Sequence, residues 1–464
     1  MNPLSLREAA RLIAGAQILG EPDAYFERVC TDSRSAGPGD LFVALKGERF
    51  DGHDFLAEVA ARGVAALLVS RPTGQISLPT LQVPDTHGAL GALAHGWRRK
   101  FELPLVAVTG SNGKTTVKEM IASIFAEAVG EEGRLATRGN FNNDIGLPLT
   151  LLRLNAAHQL AVVELGVNHP GETAHLAALT EPTIALINNA QREHQEFMVS
   201  VEAVAREHMS VLQALPAHGA AVFPADDVYA PLWRAAAQGR QIIDFALTSE
   251  AAVSGVLRAE SPLQVRTSQG QFELTLPVLG VHNARNALAA TAAALAAGVG
   301  LEVIRCGLEK FRPVSGRLVA KVARVAPLAG AIIIDDSYNA NPDSMRAAID
   351  VLATRAAPRI LVMGAMGEVG QHSVVFHHEV GIYARECGID VLYALGDATR
   401  PACHAFGAQA KHFSSAEELI EHLLSAGFGA HATVLVKGSR FMKMERIVAA
   451  LSAESTEGQT PVLH

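Results

Sequence analysis

A glycine-rich loop between a strand-like run and a helix-like run is the stretch best suited to chemistry. Residues 105–108 are apolar, as in a short buried parallel strand, and apolar residues recur at helical spacing over residues 117–125. Between them stands the sequence GSNGKTT, residues 110–116. Glycines let backbone N–H groups approach phosphate oxygens, and a helix N-terminus adds partial positive charge. In such a loop Lys114 can reach the terminal phosphates of a nucleotide, and the Thr115 hydroxyl can bind Mg²⁺.

The loop departs from the usual phosphate-loop pattern at one position. That pattern places a glycine five residues before Gly113, where this chain has Val108. The alternative interpretation is a chance Gly-Lys-Thr at the start of a helix. The strand before the loop and the helix after it favour a nucleotide triphosphate site, because such a motif gains its meaning from the flanking elements.

A carboxylate ends the next strand-like run. Residues 160–163 are apolar and are followed by Glu164. Ligands of open α/β sheets bind at the carboxyl ends of the parallel strands, and Mg²⁺ prefers oxygen ligands. Glu164 is therefore either a Mg²⁺ ligand or a surface glutamate that happens to end a strand, and the residues alone leave both interpretations open.

A polar segment near the N-terminus is a second candidate binding site. Thr31, Ser33 and Arg34 precede a Pro-Gly-Asp turn, and Ser33 with Arg34 could hold a phosphate or the edge of a uracil. Sequences of this kind are common in turns, so an ordinary surface turn is the favoured interpretation on the residues alone.

Composition describes a multidomain globular protein. The 464 residues are 49% apolar and 19% charged, which predicts two to four ordered domains. No run of eighteen apolar residues exists, and residues 1–15 resemble an amphipathic helix and lack a signal-peptide core. Four widely spaced cysteines favour a cytoplasmic location. The net charge of −8 argues against a nucleic-acid partner.

The order of predicted elements indicates an α/β protein of three units. Pro104 and the Pro- and Gly-containing residues 311–317 interrupt the pattern, which divides the chain into residues 1–102, 103–314 and 315–464. We expect a small N-terminal α/β domain, a central phosphate-loop ATPase-like parallel sheet and a Rossmann-like, doubly wound C-terminal domain. The glycines of residues 364–370 have the wrong spacing for a dinucleotide fingerprint, which excludes NAD. The predicted strands are residues 41–45, 64–69, 80–83, 105–108, 160–163, 184–187, 331–334, 359–363, 391–395 and 433–436.

Several motifs together resemble one enzyme family. Residues 110–116, 139–148 and 280–288, the last preceding an alanine-rich helix, resemble the Mur ligases, the ATP-dependent amide-forming enzymes of peptidoglycan precursor synthesis. Residues 335–345 (DDSYNANPDSM) and the KGSR motif near the C-terminus resemble the member that adds D-alanyl-D-alanine to UDP-N-acetylmuramoyl tripeptide. The resemblance covers nearly the whole chain. It implies a cytoplasmic ligase of cell wall biogenesis, on which cell shape and division depend.

The resemblance also implies roles for individual residues. The three units would be a UDP-substrate-binding domain, an ATP-binding domain and a C-terminal ligase domain, with ATP and Mg²⁺ as cofactors and a monomer as the simplest assembly. Lys114 would contact the phosphates, Thr115 the first Mg²⁺, and Glu164 and His194 a second Mg²⁺. Asn283 and Asn339 would lie near adenine, whereas Arg317 and Asp336 would reach phosphate and ribose. The implied catalytic residues are Lys114, Glu164, His194 and Arg317. The implied nucleotide-binding residues are Gly110, Ser111, Asn112, Gly113, Lys114, Thr115, Thr116, Asn283, Arg317, Asp336 and Asn339, and those for the UDP part are Thr31, Ser33, Arg34 and Lys46.

One position departs from the family pattern. The family usually has a carbamylated lysine after the His194 segment, and the carbamate supports the second metal. The matching residue here is His208, and the chain has no lysine between Lys118 and Lys310. We expect activity without added bicarbonate. The imidazole of His208 would then bind the metal, hydrogen-bond a metal-bound water, or be an ordinary polar helix residue.

The chemistry sets the remaining expectations. A carboxylate does not condense with an amine in water, so it must first become an acyl phosphate, which water would hydrolyse. Domain closure over the site is therefore expected, and an open form without substrates is compatible with it. Rival interpretations are a folate polyglutamate ligase or another Mur enzyme, and, from a different class, a non-catalytic nucleotide-binding module or a phosphate-loop ATPase. The sequence leaves open whether the third residue of the tripeptide is diaminopimelate or lysine.

Overall fold

The computed structural model describes residues 1–74, 76–247, 249–258 and 261–452. Three α/β units follow one another along the chain, each built on its own sheet. This confirms the predicted α/β class with three sheet-containing units. Breaks in secondary structure fall at residues 99–104 and 311–318, and residues 453–464 of the predicted third unit lie outside the described residues. No helix in the described ranges is long and apolar enough to cross a membrane.

The N-terminal unit is a small, mostly parallel sheet. Its elements are β1 (Leu4–Ser5), α1 (Leu6–Leu12), β2 (Gln17–Leu19), β3 (Tyr25–Phe26), β4 (Arg28–Cys30), β5 (Asp40–Val43), α2 (Leu56–Ala61), β6 (Ala66–Val69), β7 (Thr80–Gln82) and α3 (Thr86–Arg98). Strand order is β2-β7-β6-β5-β4, in which only β2 is antiparallel to its neighbour. The predicted N-terminal helix is shorter than expected, because Ser5 caps it in a capping box with Glu8.

The central unit is a six-stranded, fully parallel sheet. Its elements are β8 (Leu105–Thr109), α4 (Lys114–Val129), β9 (Arg134–Ala136), α5 (Gly146–Leu151), β10 (Leu160–Glu164), α6 (Glu172–Thr180), β11 (Ile184–Ile187), α7 (Gln195–Met198), α8 (Val201–Gln213), β12 (Ala220–Val222), α9 (Ala230–Ala236) and β13 (Gln241–Ile242). Strand order is β13-β12-β11-β8-β10-β9. The strand β8 therefore lies between β10 and β11, and the loops that follow these three strands meet at one edge.

The unbroken apolar sequence of β8 has a structural reason. Leu105 and Ala107 face a core that extends into the N-terminal unit, whereas Val106 and Val108 face a second core containing α4. Because both faces of the sheet are covered, no polar alternation is needed. The two units are also joined by hydrogen bonds, such as that from Trp97 Nε1 to the carbonyl of Leu154 at 3.0 Å.

A four-stranded, mostly antiparallel sheet completes the central unit, and the sequence did not predict it. It consists of β14 (Phe245–Ala246), β15 (Val253–Val256), β16 (Leu263–Thr267) and β17 (Gly270–Leu274), and is followed by α10 (Val281–Ala296) and α11 (Leu301–Lys310). Residues 280–288 were expected to precede the alanine-rich helix. That expectation was wrong, because nearly all of the motif lies within α10.

The C-terminal unit is doubly wound, as predicted. Its elements are β18 (Val319–Val322), β19 (Ile332–Asp336), α12 (Pro342–Ala353), β20 (Arg359–Gly364), α13 (Ser373–Glu386), β21 (Val391–Leu395), α14 (Arg400–Phe406), β22 (Ala410–Phe413), α15 (Ala416–Ser425), β23 (Thr433–Lys437) and α16 (Glu445–Ser452). Strand order is β18-β19-β23-β20-β21-β22, parallel except for β18. Alternate residues of the central strands face separate cores on the two sides of the sheet, which explains their continuous apolar runs.

Candidate active site

A cavity of about 780 Å³ lies between the carboxyl edge of the central sheet and the C-terminal unit. It brings together most of the predicted site residues from segments far apart in sequence. Among the residues that line it are Ser111, Asn112, Gly113, Lys114, Thr115, Thr116, Glu164, Glu193, His194, Asn283, Arg317, Asp336 and Asn339. Of the predicted loop, only Gly110 lies behind this lining.

The glycine-rich loop is held by asparagine side chains. Gly113 caps α4 with φ +81°, and a Cβ atom there would lie 2.6 Å from both Asn188 Nδ2 and Asn286 Oδ1. Asn188 Nδ2 donates to Asn286 Oδ1 at 2.9 Å and to the carbonyl of Asn112 at 2.7 Å. A side chain at position 113 is therefore excluded both by the left-handed backbone and by lack of space.

Lys114 points across the loop. Its Nζ donates to the carbonyls of Gly110 at 2.5 Å and Ser111 at 3.3 Å, and it lies 3.3 Å from Glu193 Oε2. The side chain is only 15% exposed, so its charge acts where solvent screening is weak. Together with the N-terminus of α4, it gives the loop the positive charge that binding of phosphate groups would require.

Glu164 and Thr115 form an oxygen-rich corner of the cavity. Thr115 Oγ1 donates to Glu164 Oε1 at 3.1 Å, and Asn142 Nδ2 donates to the same atom at 2.8 Å. Glu164 Oε2 is buried and has no hydrogen-bond partner. A buried, unpaired carboxylate oxygen is costly unless a cation meets it, so this corner fits Mg²⁺.

The cavity offers Mg²⁺ few ligands of its own. Within the described ranges, no three His, Cys, Asp or Glu side chains are grouped closely enough to hold a metal ion. Mg²⁺ commonly binds through one or two carboxylates together with phosphates of the substrate. The donor set therefore fits an ion that arrives with a nucleotide.

Glu193 is a buried carboxylate that the sequence did not predict as a site residue. Its Oε1 accepts a hydrogen bond from His208 Nε2 at 2.9 Å, and its Oε2 faces Lys114. Burial raises the pKa of Glu193, but the charge of Lys114 and the hydrogen bond from His208 outweigh burial and bring the pKa to about 2. Glu193 is thus a fixed negative charge at the cavity wall.

The hypothesis that the imidazole of His208 binds the metal ion directly is wrong. The ring is fully buried in α8, and its two nitrogens are occupied by Glu193 and by Thr109 Oγ1, the latter at 2.9 Å. His208 does not line the cavity. It is not an ordinary polar helix residue either, since it holds the carboxylate that does line the cavity.

His194 stands at a strained turn beside the cavity. Its backbone has φ +45°, a left-handed conformation that is unfavourable for a residue other than glycine. Its Nε2 lies 3.8 Å from Glu193 Oε2, and its Nδ1 lies 2.6 Å from Glu368 Oε2. This close pairing with His194 lowers the pKa of Glu368 below its usual range.

The C-terminal unit supplies the opposite wall. Asp336 Oδ2 lies 2.6 Å from Lys437 Nζ, and Asp336 Oδ1 accepts from the backbone N–H of Leu318 at 3.2 Å. The guanidinium of Arg317 lies over the ring of Tyr338 at 4.3 Å, with Nε buried and unpartnered. The side-chain oxygen of Asn339 accepts from the N–H of Ala340 at 2.9 Å.

Asn283 belongs to the same asparagine network as the loop. Its Nδ2 donates to the carbonyl of Leu279 at 2.7 Å, and its Oδ1 accepts from Asn286 Nδ2 at 3.0 Å. The network therefore connects α10 to the glycine-rich loop.

The predicted N-terminal binding residues do not reach the cavity. Thr31, Ser33 and Arg34 follow β4, and Lys46 follows β5, so all four lie at the carboxyl edge of two neighbouring parallel strands. Arg34 is exposed and forms an ion pair with Asp32 at 2.7 Å. Its hydrogen bonds lower the pKa of Asp32 to about 2. The four residues form a separate patch on the N-terminal unit.

The central and C-terminal units are joined across the cavity. Arg192 makes a bidentate ion pair with Asp343, with a shortest distance of 2.8 Å, and a second pair with Glu379 at 2.7 Å. Asn341 Nδ2 donates to Asn112 Oδ1 at 2.9 Å. These contacts hold the central and C-terminal units against each other across the cavity, as closure for catalysis requires.

Comparisons with known proteins agree along the whole chain. Family models described as "Mur ligase family, catalytic domain", "Mur ligase middle domain" and "Mur ligase, glutamate ligase domain" match residues 26–98, 108–294 and 317–440. The UDP-N-acetylmuramoyl-tripeptide–D-alanyl-D-alanine ligase of Haemophilus influenzae is 39% identical, over 97% of this chain and 99% of its own length.

Solved structures give the same result. MurF from Acinetobacter baumannii superposes with a TM-score of 0.89 at 37% identity, covering 97% of this chain and 99% of its own. MurF from Thermotoga maritima, solved in complex with ADP, superposes with a TM-score of 0.79 at 26% identity, covering 92% and 97%.

Proposed function

The chain belongs to the Mur ligase family, and we propose that the residues around the cavity carry out its amide-forming reaction. It is an ATP-dependent ligase of peptidoglycan synthesis that joins D-alanyl-D-alanine to UDP-N-acetylmuramoyl tripeptide. The products are the UDP-N-acetylmuramoyl pentapeptide, ADP and phosphate.

The reaction proceeds by two substitutions. A carboxylate oxygen of the tripeptide attacks the γ-phosphorus of ATP, and ADP leaves, which gives an acyl phosphate. The amine nitrogen of D-alanyl-D-alanine then attacks the acyl carbon, and the tetrahedral intermediate loses phosphate and a proton. Two anions meet in the first step, so the site must offset their repulsion.

The phosphate-binding loop and Lys114 supply the charge that the protein itself contributes. The backbone of residues 110–116 and the start of α4 would hold the phosphates of ATP, with Lys114 turned from the loop carbonyls toward the γ-phosphate. Thr115 would hold the first Mg²⁺, whereas Glu164 and His194 would hold the second, and the unpartnered oxygen of Glu164 supports a cation there. When bound, Mg²⁺ supplies positive charge that offsets the repulsion between carboxylate and phosphate.

The nucleoside of ATP is assigned to the opposite wall. Asn283 and Asn339 would lie near adenine, Asp336 at the ribose, and Arg317 at the phosphates. All four line the same cavity as Lys114, which supports one bound nucleotide spanning the two units. Closure of the units would also keep water from the acyl phosphate.

The UDP part of the other substrate is assigned to the N-terminal patch. Thr31, Ser33, Arg34 and Lys46 gather at one sheet edge outside the cavity, so the substrate would extend from that patch to the reacting groups. Arg34 would have to exchange its ion pair with Asp32 for a phosphate. We also propose a monomer, as the simplest assembly, and a cytoplasmic location, because ATP is a cytoplasmic substrate.

One observation carries these assignments: the phosphate loop, Glu164 and the wall formed by residues 317–341 all line the same cavity. The test is release of ADP by the purified protein. Sustained turnover of ATP to ADP should require both the tripeptide substrate and D-alanyl-D-alanine, since the amine is needed to consume the acyl phosphate. ADP release without them would favour a phosphate-loop ATPase, and activity with glutamate and a folate would favour a folate polyglutamate ligase.

Asp336→Asn is expected to raise the KM for ATP roughly tenfold, as for loss of one charge-assisted hydrogen bond of about 1.5 kcal/mol or more. The amide can still accept from Leu318 N–H, which keeps that contact of the wall, while the ion pair with Lys437 is lost. Steady-state kinetics should show the KM for the tripeptide substrate within about twofold of wild type, since the assignment places Asp336 at the ribose of ATP and away from the tripeptide. The exposed variant Asp397→Asn is the control, and a rise confined to the tripeptide KM would contradict the ribose assignment.

Arg192→Ala is expected to open the two units, because it removes two of the ion pairs that join them. We expect an increased radius of gyration by small-angle X-ray scattering and a fall in kcat/KM for ATP of about tenfold, as for partly buried charge-assisted pairs. Arg206→Ala, which removes an exposed pair within α8, is the matched control. An unchanged radius together with unchanged kcat/KM would show that Arg192 does not maintain closure.

A further inference from the structure

Glu193 has no role in the assignments above, although it lines the cavity. Its side chain is 4% exposed and follows β11, the strand next to the phosphate-loop strand. The groups of opposite charge nearest to Oε2 are Lys114 at 3.3 Å and His194 Nε2 at 3.8 Å. A buried carboxylate is tolerated only when charged or hydrogen-bonding partners surround it.

His208 fixes this carboxylate from behind. The imidazole is fully buried, accepts or donates at Thr109 Oγ1 on the last residue of β8, and donates from Nε2 to Glu193 Oε1. The imidazole therefore ties the carboxylate to the central strand of the sheet. Because Oε1 is occupied by His208, Oε2 is the oxygen left to face the cavity.

Binding of ATP would change the partners of Oε2. Lys114 is required at the γ-phosphate, and once it moves there Glu193 loses its nearest cation. The corner at Glu164 has the same need, since its Oε2 is buried without a partner. Two buried carboxylates on one cavity wall, one of which has an oxygen without a partner, require added positive charge.

We propose that Glu193, positioned by His208, is an oxygen ligand of the divalent cation that binds beside His194. This inference rests on the proposed function, since the cation enters with the nucleotide. It explains the missing lysine. In the family pattern the lysine at position 208 carries a carbamate, whereas here His208 positions the carboxylate of Glu193. Catalysis therefore requires no CO₂, and the rate should be the same in bicarbonate-free buffer and with added bicarbonate.

The test is binding of Mn²⁺, measured by electron paramagnetic resonance with ADP present. Wild type, Glu193→Gln and Glu172→Gln are compared. Glu172 also lines the cavity but accepts hydrogen bonds only from its own loop, so it controls for loss of a negative charge. We expect Glu193→Gln to lower the affinity for the Mn²⁺ ion beside His194 by about tenfold or more, as for loss of other groups that support a metal ion. The Mn²⁺ affinity of Glu172→Gln should equal that of wild type.

A second measurement separates metal binding from orientation of Lys114. ADP affinity in EDTA should not fall in Glu193→Gln, because a metal ligand has no role without metal. A weaker ADP affinity in EDTA with unchanged Mn²⁺ binding would overturn the proposal and make Glu193 a counter-ion of Lys114. An unchanged melting temperature would show that either result reflects binding, since glutamine keeps the shape of the side chain.

His208→Gln tests the positioning step. We expect Mn²⁺ binding weakened severalfold, less than in Glu193→Gln, because glutamine can donate one hydrogen bond to the carboxylate. Unchanged Mn²⁺ binding in this variant would contradict the positioning role. Failure of wild type to bind Mn²⁺ with ADP would instead count against the proposed function, so the two failures are distinguishable.

Discussion

Replacing Lys114 with methionine is expected to lower kcat by at least about a hundredfold, as for removal of other preorganised charged donors. Methionine keeps the length and much of the volume of the side chain, so the fold of the loop should persist. The loss follows because no other lysine approaches the loop carbonyls and Glu193 as Lys114 does in the described part of the chain. Single-turnover kinetics of acyl phosphate formation would locate the defect in the first chemical step.

Lys310→Ala is the control for that variant. Lys310 is exposed and pairs with Glu127 on the far side of α4, so its loss should leave kcat unchanged. Full activity of Lys114→Met would contradict the assignment of the loop to ATP phosphates.

The second large effect is expected for Glu164→Gln. The amide is isosteric, but it removes the buried charge whose Oε2 has no protein partner. We expect a loss of about a hundredfold in kcat, as for removal of a group that stabilises charge in the transition state. A higher Mg²⁺ concentration for half-maximal rate should accompany it, because one of the few protein oxygens available to the ion is lost.

A Mg²⁺ titration distinguishes metal binding from a purely structural role. If Glu164 only accepted hydrogen bonds from Thr115 and Asn142, glutamine would retain one acceptor and the titration would not move. An unchanged midpoint with normal kcat would contradict the metal assignment. Glu172→Gln again provides a cavity carboxylate that should have no effect.

The architecture was predictable where apolar runs are covered on both faces. Residues 184–187 and 391–395 form β11 and β21 as predicted, because strands buried between helices need no polar alternation. The sheet of β14–β17 was missed because its strands are partly exposed. Its residues, such as those of β17, have no continuous apolar run.

The separate parts of the site were easier to predict than their arrangement. The phosphate loop and Glu164 each follow a predicted strand, so one sheet edge unites them. Asn112 meets Asn341, a separation of 229 residues, only because two domains close on each other. Local patterns carry no information about such a contact.

Glu193 and His208 show a second kind of limit. They are 15 residues apart and lie on a strained turn and a helix, so no periodicity relates them. The sequence nevertheless contained a signal that a negative charge must come from elsewhere, because a histidine stands where the family pattern has a carbamylated lysine. A search for a carboxylate elsewhere in the same segment would have given Glu193 together with Glu196, Glu202 and Glu207, and only the structure selects Glu193 among them.

The most direct test of the assigned function is the mass of the product formed from UDP-N-acetylmuramoyl tripeptide, D-alanyl-D-alanine and ATP. We expect a product heavier than the tripeptide substrate by one D-alanyl-D-alanine less one water, with one ADP and one phosphate released for each product molecule. The same mixture without D-alanyl-D-alanine should yield no pentapeptide. Absence of the pentapeptide in the complete mixture, with ATP hydrolysed or untouched, would contradict the assignment of this chain as the dipeptide-adding ligase.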